Sequence, residues 1–164
     1  MNPFTVSQQS PAQADLDTLL DICFGPGRLT RTAERLRENN QPITAYTHCA
    51  TGDEGLLGAV SFWPIKIGDV AALLLGPLAV HPDMQGRGLG MALMQAALQT
   101  IDEARFPVVL LVGDLPYYER AGFAVAPTDI VMPGPVDPER LLVRGPNDLC
   151  AALAGAVRPA PELC

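Results

Sequence analysis

The strongest constraint in this sequence is one run, Leu78-Ala79-Val80-His81-Pro82-Asp83-Met84-Gln85-Gly86-Arg87-Gly88-Leu89-Gly90-Met91-Ala92-Leu93. An apolar, strand-like segment enters a proline turn, passes through a glycine loop and continues into a long amphipathic stretch. The alternating glycines Gly86, Gly88 and Gly90 have no Cβ, so the backbone there can approach another group closely. The helix that follows points its first-turn N–H groups back into the loop. A helix start of this kind binds anions, of which phosphate is the usual one. The run therefore points to a phosphate-bearing cofactor held at a strand-to-helix turn.

Three glycine patterns compete for it. A P-loop requires Lys-Ser/Thr after its last glycine, and no Lys follows here. A dinucleotide fingerprint requires Gly-x-Gly-x-x-Gly. Starting from Gly86 the final position is Met91, and starting from Gly88 it is Leu93. No acidic ribose partner stands at the expected distance downstream. The third pattern, Gln/Arg-x-x-Gly-x-Gly/Ala, fits Gln85-Gly86-Arg87-Gly88-Leu89-Gly90 without departure. In that pattern the N–H groups from about Arg87 to Met91 face the phosphates. Arg87 reads equally well as an added charge or as a solvated turn residue.

After a strand ending in Leu-x-Val-x-Pro, this pattern resembles the acetyl-CoA-binding motif of the GNAT superfamily of N-acetyltransferases. A second match strengthens the resemblance. Tyr118-Glu119-Arg120-Ala121-Gly122-Phe123 is similar to the Tyr-x-x-x-Gly-Phe signature of that family, with room for one helix and one strand between the two motifs. In element order the resemblance runs from Phe4 to Arg144, and only these two motifs are specific. Leu75-Gly76-Pro77-Leu78-Ala79-Val80-His81-Pro82, with Gly113-Asp114 ahead of the tyrosines, is most similar to a bacterial subfamily of predicted acetyltransferases.

The resemblance implies an α/β (α+β) fold. It implies a mixed, mostly antiparallel sheet of about six to seven strands, splayed in the middle and flanked by about four helices. It implies one domain over residues 1–164. The activity implied is direct transfer of the acetyl group of acetyl-CoA to a primary amine in a ternary complex. Leu78, Ala79 and Val80 would pair their backbone groups with the pantetheine arm. Gln85, Gly86, Arg87, Gly88, Leu89, Gly90 and Met91 would hold the pyrophosphate, and Tyr118 would protonate the leaving thiolate, with Tyr117 beside it as the control. Many relatives carry a Glu where this chain has Gly76 and Pro77. The base then remains open among His81, Asp114, Glu54 and a water chain. That departure also admits a non-catalytic acyl-CoA-binding or sensing module on the same fold, or a transferase using a different acyl-CoA.

Composition narrows the partners. In a chain of 164 residues, 48% hydrophobic content is ample for one core. The longest apolar run, Val70 to Val80, is too short to span a bilayer. Met1-Asn2-Pro3-Phe4 has no basic residue, which argues against a signal peptide and for a cytoplasmic location. Cys23, Cys49, Cys150 and Cys164 form no CxxC pair and no His stands at ligand spacing, so reduced thiols and no metal are expected. A net charge of −7 argues against nucleic acid and favours an amine-bearing acceptor, either a small molecule or a peptide. No membrane partner is expected, and the chain reads as a monomer or homodimer.

Periodicity and turn residues predict a strand over 4–8 and a helix over 11–23 capped by Ser10. A more charged helix over 29–38, capped by Thr30, follows. A hairpin of strands is predicted over 43–50 and 56–67, then an apolar strand over 70–80 containing Pro77. The glycine-loop helix is predicted to continue to Ala104. A strand over 108–112, a short helix over 115–120, strands from Phe123 and over 141–143, and a helix over 149–157 follow, with Arg158 to Pro161 trailing off. Acceptor choice is assigned to the 25–40 region with Trp63 and Lys66. Arg28, Arg31, Arg35 and Arg37 read there as a solvated helix face or as a site for an acidic substrate.

Overall fold

The computed structural model describes residues 4–164. Met1–Pro3, on which part of the signal-peptide expectation rests, lie outside the described residues. In chain order the elements are β1 (Thr5–Ser7), α1 (Gln13–Phe24), β2 (His48–Gly52), β3 (Gly55–Ile67), β4 (Val70–Val80), α2 (Leu89–Leu98), β5 (Val108–Val112), α3 (Leu115–Tyr118), β6 (Ala124–Val125), β7 (Ile130–Val131), β8 (Leu141–Arg144), α4 (Asn147–Ala151) and β9 (Gly155–Pro159). The fold is the expected mixed, mostly antiparallel sheet with four α-helices, and it has nine strands among the described residues rather than six to seven. The chain forms two compact units. One comprises the residues up to Leu29 with Ile43–Phe62 and Gly76–Ile101, and the other Thr30–Pro42, Trp63–Leu75 and Asp102–Cys164. Strands β3 and β4 contribute residues to both.

In the first unit β1, β2 and β3 are antiparallel neighbours, with Val6 opposite Ala50 and His48 opposite Val60. The end of β4 joins them through His81 N–H, which donates to Leu57 O at 2.7 Å. Helix α1 lays Leu19 and Leu20 on Ala79, with Leu16, Cys23, Phe24 and Leu56 around them. Helix α2 buries Leu89, Met91, Leu93, Met94, Ala97 and Leu98. A helix apolar on most of its surface is stable only when covered.

In the second unit β4 and β5 are parallel, with Ala72, Leu73 and Leu74 opposite Val108, Val109 and Leu110. Strand β8 pairs antiparallel with both β5 and β6. Strand β9 pairs with β3 and, in parallel, with β7. Ile65, Ile67, Ala72, Leu74, Val108, Leu110, Val143, Leu153 and Val157 form the core here. The unbroken apolar runs of β4 and β5 are what a parallel pair requires, because both faces are covered.

Several elements differ from the sequence reading. The charged helix expected over 29–38 is two short 3-10 turns, Pro26–Thr30 and Thr32–Leu36. Leu36 is the one buried side chain in these turns, too little apolar surface to dock an α-helix. The residue before the second turn is Arg31 rather than Thr30, and α1 starts after Ala12 rather than Ser10. Residues 44–46 are a 3-10 turn, so β2 begins at His48. Helix α2 ends at Leu98. Beyond it Asp102 Oδ1 accepts from Ala104 N–H at 3.1 Å, a local turn that competes with helix. The C-terminal helix stops at Ala151, and residues 155–159 are strand β9 with Val157 buried. The last residues pack rather than trail off: Ala160 N–H donates to Pro64 O at 3.0 Å.

Leu110, wholly buried in the second core, sets an expected scale for these contacts. Leu110→Ala should cost about 2–5 kcal/mol, read as a lower urea midpoint with an unchanged slope.

Candidate functional site

The glycine run lies in the first unit. Ala79 is buried against α1, while Leu78 and Val80 are half-buried. The Cys23 thiol donates to Val80 O at 3.2 Å, and burial pushes that thiol's pKa up. One of the carbonyls expected to face the pantetheine arm therefore already accepts one bond. His81 caps the short turn Pro82–Met84: its Nδ1 accepts from Asp83 N–H at 3.1 Å. That bond places the proton of the neutral ring on Nε2 and occupies the Nδ1 lone pair, which counts against His81 as a base.

Gln85, Gly86, Arg87 and Gly88 are exposed. Gly86 and Gly88 have φ of +76° and +80°, the left-handed region that favours glycine. A Cβ at either would meet nothing within 4 Å, so the backbone demands glycine and the space before it is open. Gly90 is buried inside α2. The first helical bond runs from Ala92 N–H to Gly88 O at 3.0 Å. The N–H groups of Leu89, Gly90 and Met91 stand ahead of that ladder, and the first turn carries no acidic residue. A turn with open space, followed by free helix-start donors, fits a pyrophosphate group.

Tyr118 lies in the second unit, at the end of α3. Its ring meets Tyr117 edge-on at 4.9 Å and Phe123 at 5.9 Å, and Tyr118 O accepts from Phe123 N–H at 3.3 Å. Burial is the main cause that pushes the Tyr118 pKa up to about 12; Tyr117 and Asp114 add to it and Arg140 opposes it. The phenol therefore keeps its proton over the whole neutral range. Burial also raises Tyr117, against the pull of Arg120.

The other candidates fall as follows. Asp114 Oδ1 accepts from Arg140 Nη1 at 2.7 Å, so its carboxylate is engaged. Glu54 is exposed in the turn between β2 and β3. Arg28 lies 3.2 Å from Asp21, Arg35 pairs with Glu38 at 2.8 Å and Arg37 with Glu34 at 2.9 Å. These three are thus held by local ion pairs at short 3-10 turns rather than on a solvated helix face, with Arg28 and Arg37 largely buried; Arg31 precedes the second turn. Trp63 packs on the second core, and Lys66 stands opposite Arg158 on β9. Sequence reasoning gave no role to Gly113, although Gly113-Asp114 was visible as wording ahead of the tyrosines. Among the described residues no cluster of three or more His, Cys, Asp or Glu side chains has metal-site geometry, and no helix is long and apolar enough to cross a membrane.

A mixed sheet whose apolar strand runs into a left-handed glycine turn and a helix start is the architecture of the GNAT fold. Residues 44–125, half of the chain, match the acetyltransferase (GNAT) domain family. The chain belongs to the GNAT acetyltransferase family. It is 31% identical over 114 residues to the uncharacterized N-acetyltransferase YhbS of Escherichia coli (strain K12), covering 68% of this chain and 67% of that protein. The crystal structure of Escherichia coli YhbS in complex with CoA superposes with a TM-score of 0.74 at 28% identity, covering 96% of this chain and 88% of that one. A GNAT family acetyltransferase from Brucella melitensis in complex with acetyl-CoA gives a TM-score of 0.60 at 27% identity, over 85% and 94% of the two chains. N-acetylglutamate synthase from Neisseria gonorrhoeae, complexed with CoA and N-acetyl-glutamate, shares the fold alone, with a TM-score of 0.61 at 16% identity over 88% of this chain and 35% of that one.

The raised Tyr118 pKa has a signed consequence. Below pH 10 the phenol is neutral in both folded and unfolded chains. Between pH 10 and about 12 the unfolded chain releases its proton while the folded chain retains it. Rising pH therefore favours unfolding across that window and no further above it. Urea unfolding of wild type and Tyr118→Phe should show a stability difference that declines through this window and then levels off.

Proposed function

We propose that this chain is an N-acetyltransferase that moves the acetyl group of acetyl-CoA directly to a primary amine, on a small molecule or a peptide, in a ternary complex. The two units serve as one acyltransferase domain over residues 1–164, working in the cytoplasm. The observation that carries the reading is the Gly86–Gly88 turn, left-handed, open in front and followed by the α2 helix start, in a chain whose relatives hold CoA or acetyl-CoA. The N–H groups from Arg87 to Met91, with Gln85, Gly86 and the Arg87 charge, hold the pyrophosphate. The backbone of Leu78, Ala79 and Val80 pairs with the pantetheine arm.

Bound acetyl-CoA supplies an activated thioester carbonyl. The neutral acceptor nitrogen bonds to the acetyl carbon as the carbon–sulfur bond breaks. Tyr118 passes its hydroxyl proton to the departing sulfur and takes one back from the nitrogen, which has become positively charged. Products are the amide and the CoA thiol, and the tyrosine is restored. The acceptor must first lose its own ammonium proton. With His81 a cap and Asp114 paired, a water chain is the simplest carrier for it. Holding amine and thioester together supplies much of the remaining rate.

CoA thiol release, measured with polyamines, aminoglycosides, amino acids and amine-bearing peptides, tests the reading. One amine class should turn over. Tyr118→Phe should lower kcat on the order of 10²–10⁴-fold and leave the KM for acetyl-CoA nearly unchanged. A variant as active as wild type removes the acid role. Absence of turnover with every amine, with an acyl-CoA bound to the purified protein, establishes a binding or sensing module instead. Mass spectrometry of that ligand reports the acyl chain.

A further inference from the structure

Gly113, between β5 and α3, is buried, and its φ lies outside the left-handed region, so nothing in its own backbone calls for glycine. Space does. A Cβ there would lie 2.9 Å from Cδ2 of Tyr118, closer still to Cε2, and 3.1 Å from Cδ1 of Leu111. The ring has little freedom to retreat, because Tyr117 and Phe123 stand edge-on around it.

The peptide under the ring is itself clamped. Gly113 N–H donates to Arg140 O at 2.9 Å, and the Arg140 guanidinium donates to Asp114 Oδ1 at 2.7 Å. Asp114 O accepts from both Tyr117 N–H and Tyr118 N–H at 3.1 Å. Arg140 thus meets the Gly113–Asp114 segment through its main chain and through an exposed ion pair, and that segment carries both the start of α3 and the surface on which the Tyr118 ring lies.

We infer that Gly113, held by Arg140, is a positioning residue that sets the Tyr118 hydroxyl by letting the ring lie directly on the backbone. This rests on the reading of Tyr118 as the proton donor and deepens it. Displacing a reacting group by about an ångström costs on the order of 10²-fold in rate. Gly113→Ala should therefore lower kcat by about that factor, with the KM for acetyl-CoA near wild type. In a Tyr118→Phe background the same substitution should have no further effect. Wild-type kcat in Gly113→Ala, or an equal loss in both backgrounds, overturns the inference.

Should Gly113→Ala fail to fold, Arg140→Gln loosens the segment without adding bulk. It should lower kcat by a smaller factor, again only when Tyr118 is present, and an equal loss in both backgrounds overturns the inference. A readout independent of turnover separates this proposal from the acid role. The tyrosinate absorbance difference between wild type and Tyr118→Phe follows Tyr118 ionisation, expected near pH 12. Gly113→Ala should pull that midpoint down toward 10 as the displaced ring meets water; Arg140→Gln is read by kcat alone, because loss of its charge itself raises the Tyr118 midpoint. An unchanged midpoint overturns the positioning role even where Tyr118→Phe has kept full activity and the acid role has already failed.

Discussion

The constraint on which the rest depends is the path of β4. Its first half is a buried strand in a parallel ladder with β5, fixed at Ala72, Leu73 and Leu74. Three residues beyond that ladder stands Pro77, which has no N–H to give to any neighbour. A proline inside an otherwise apolar strand is an expensive choice for a sheet alone. It is tolerated here because the ladder with β5 ends at Leu74, while the end of the strand stays joined to β3 through His81 N–H and Leu57 O. The strand then ends at Val80, His81 turns the chain by capping Pro82–Met84, and the left-handed glycines aim the start of α2. Each step is a backbone requirement met by a residue suited to it, and together they place a row of N–H donors at one turn.

To hold a polyanion, as the proposed function requires, a chain with net charge −7 must do so locally. Surface charges beyond about 8–10 Å are screened at physiological salt, whereas donors in direct contact are not. The first turn of α2 carries no acidic side chain, and Arg87 sits just ahead of it. The acidic surplus is thus absent from that turn, although Asp83 stands just ahead of the loop. Elsewhere the same surplus favours an approaching ammonium group. The two halves of the proposed reaction ask for opposite fields, and the sequence can satisfy both because one is short-range.

What could be read from the sequence follows the range of the interaction involved. The glycine turn was legible because positive φ is a local demand that only certain residues meet cheaply. Strands β3, β4 and β5 were legible because long apolar runs leave few alternatives. The 26–36 region was not, because its charged residues at helical spacing conceal that only Leu36 is buried. Strand β9 was missed for a related reason: five residues with one buried valine carry almost no period, and their partner β3 lies far away in sequence. At the site, the sequence leaves His81 as one of several open choices of base, and only the Asp83 N–H on its ring marks it as a cap. Gly113 carries no signal of its own in the sequence, since its demand for glycine comes from the Tyr118 ring lying against it. Both depend on a side chain meeting backbone, which spacing alone does not report.

The pKa of Tyr118 constrains how it works in the proposed reaction. A phenol near 12 is a much weaker acid than a thiol, whose ordinary value is about 8.5. Handing its proton to the CoA sulfur as an isolated step is therefore uphill. The transfer becomes favourable only if the tyrosinate is reprotonated as part of the same event, and the nitrogen of the newly formed amide, positively charged at that moment, is a strong acid well suited to do so. Tyr118 then acts as a relay between nitrogen and sulfur rather than as a standing reservoir of protons. A relay has to lie within hydrogen-bond reach of both atoms at once, a narrower geometric demand than donation alone. A ring seated on bare backbone, between two aromatic edges and over a clamped peptide, is how this chain restricts the hydroxyl to few positions.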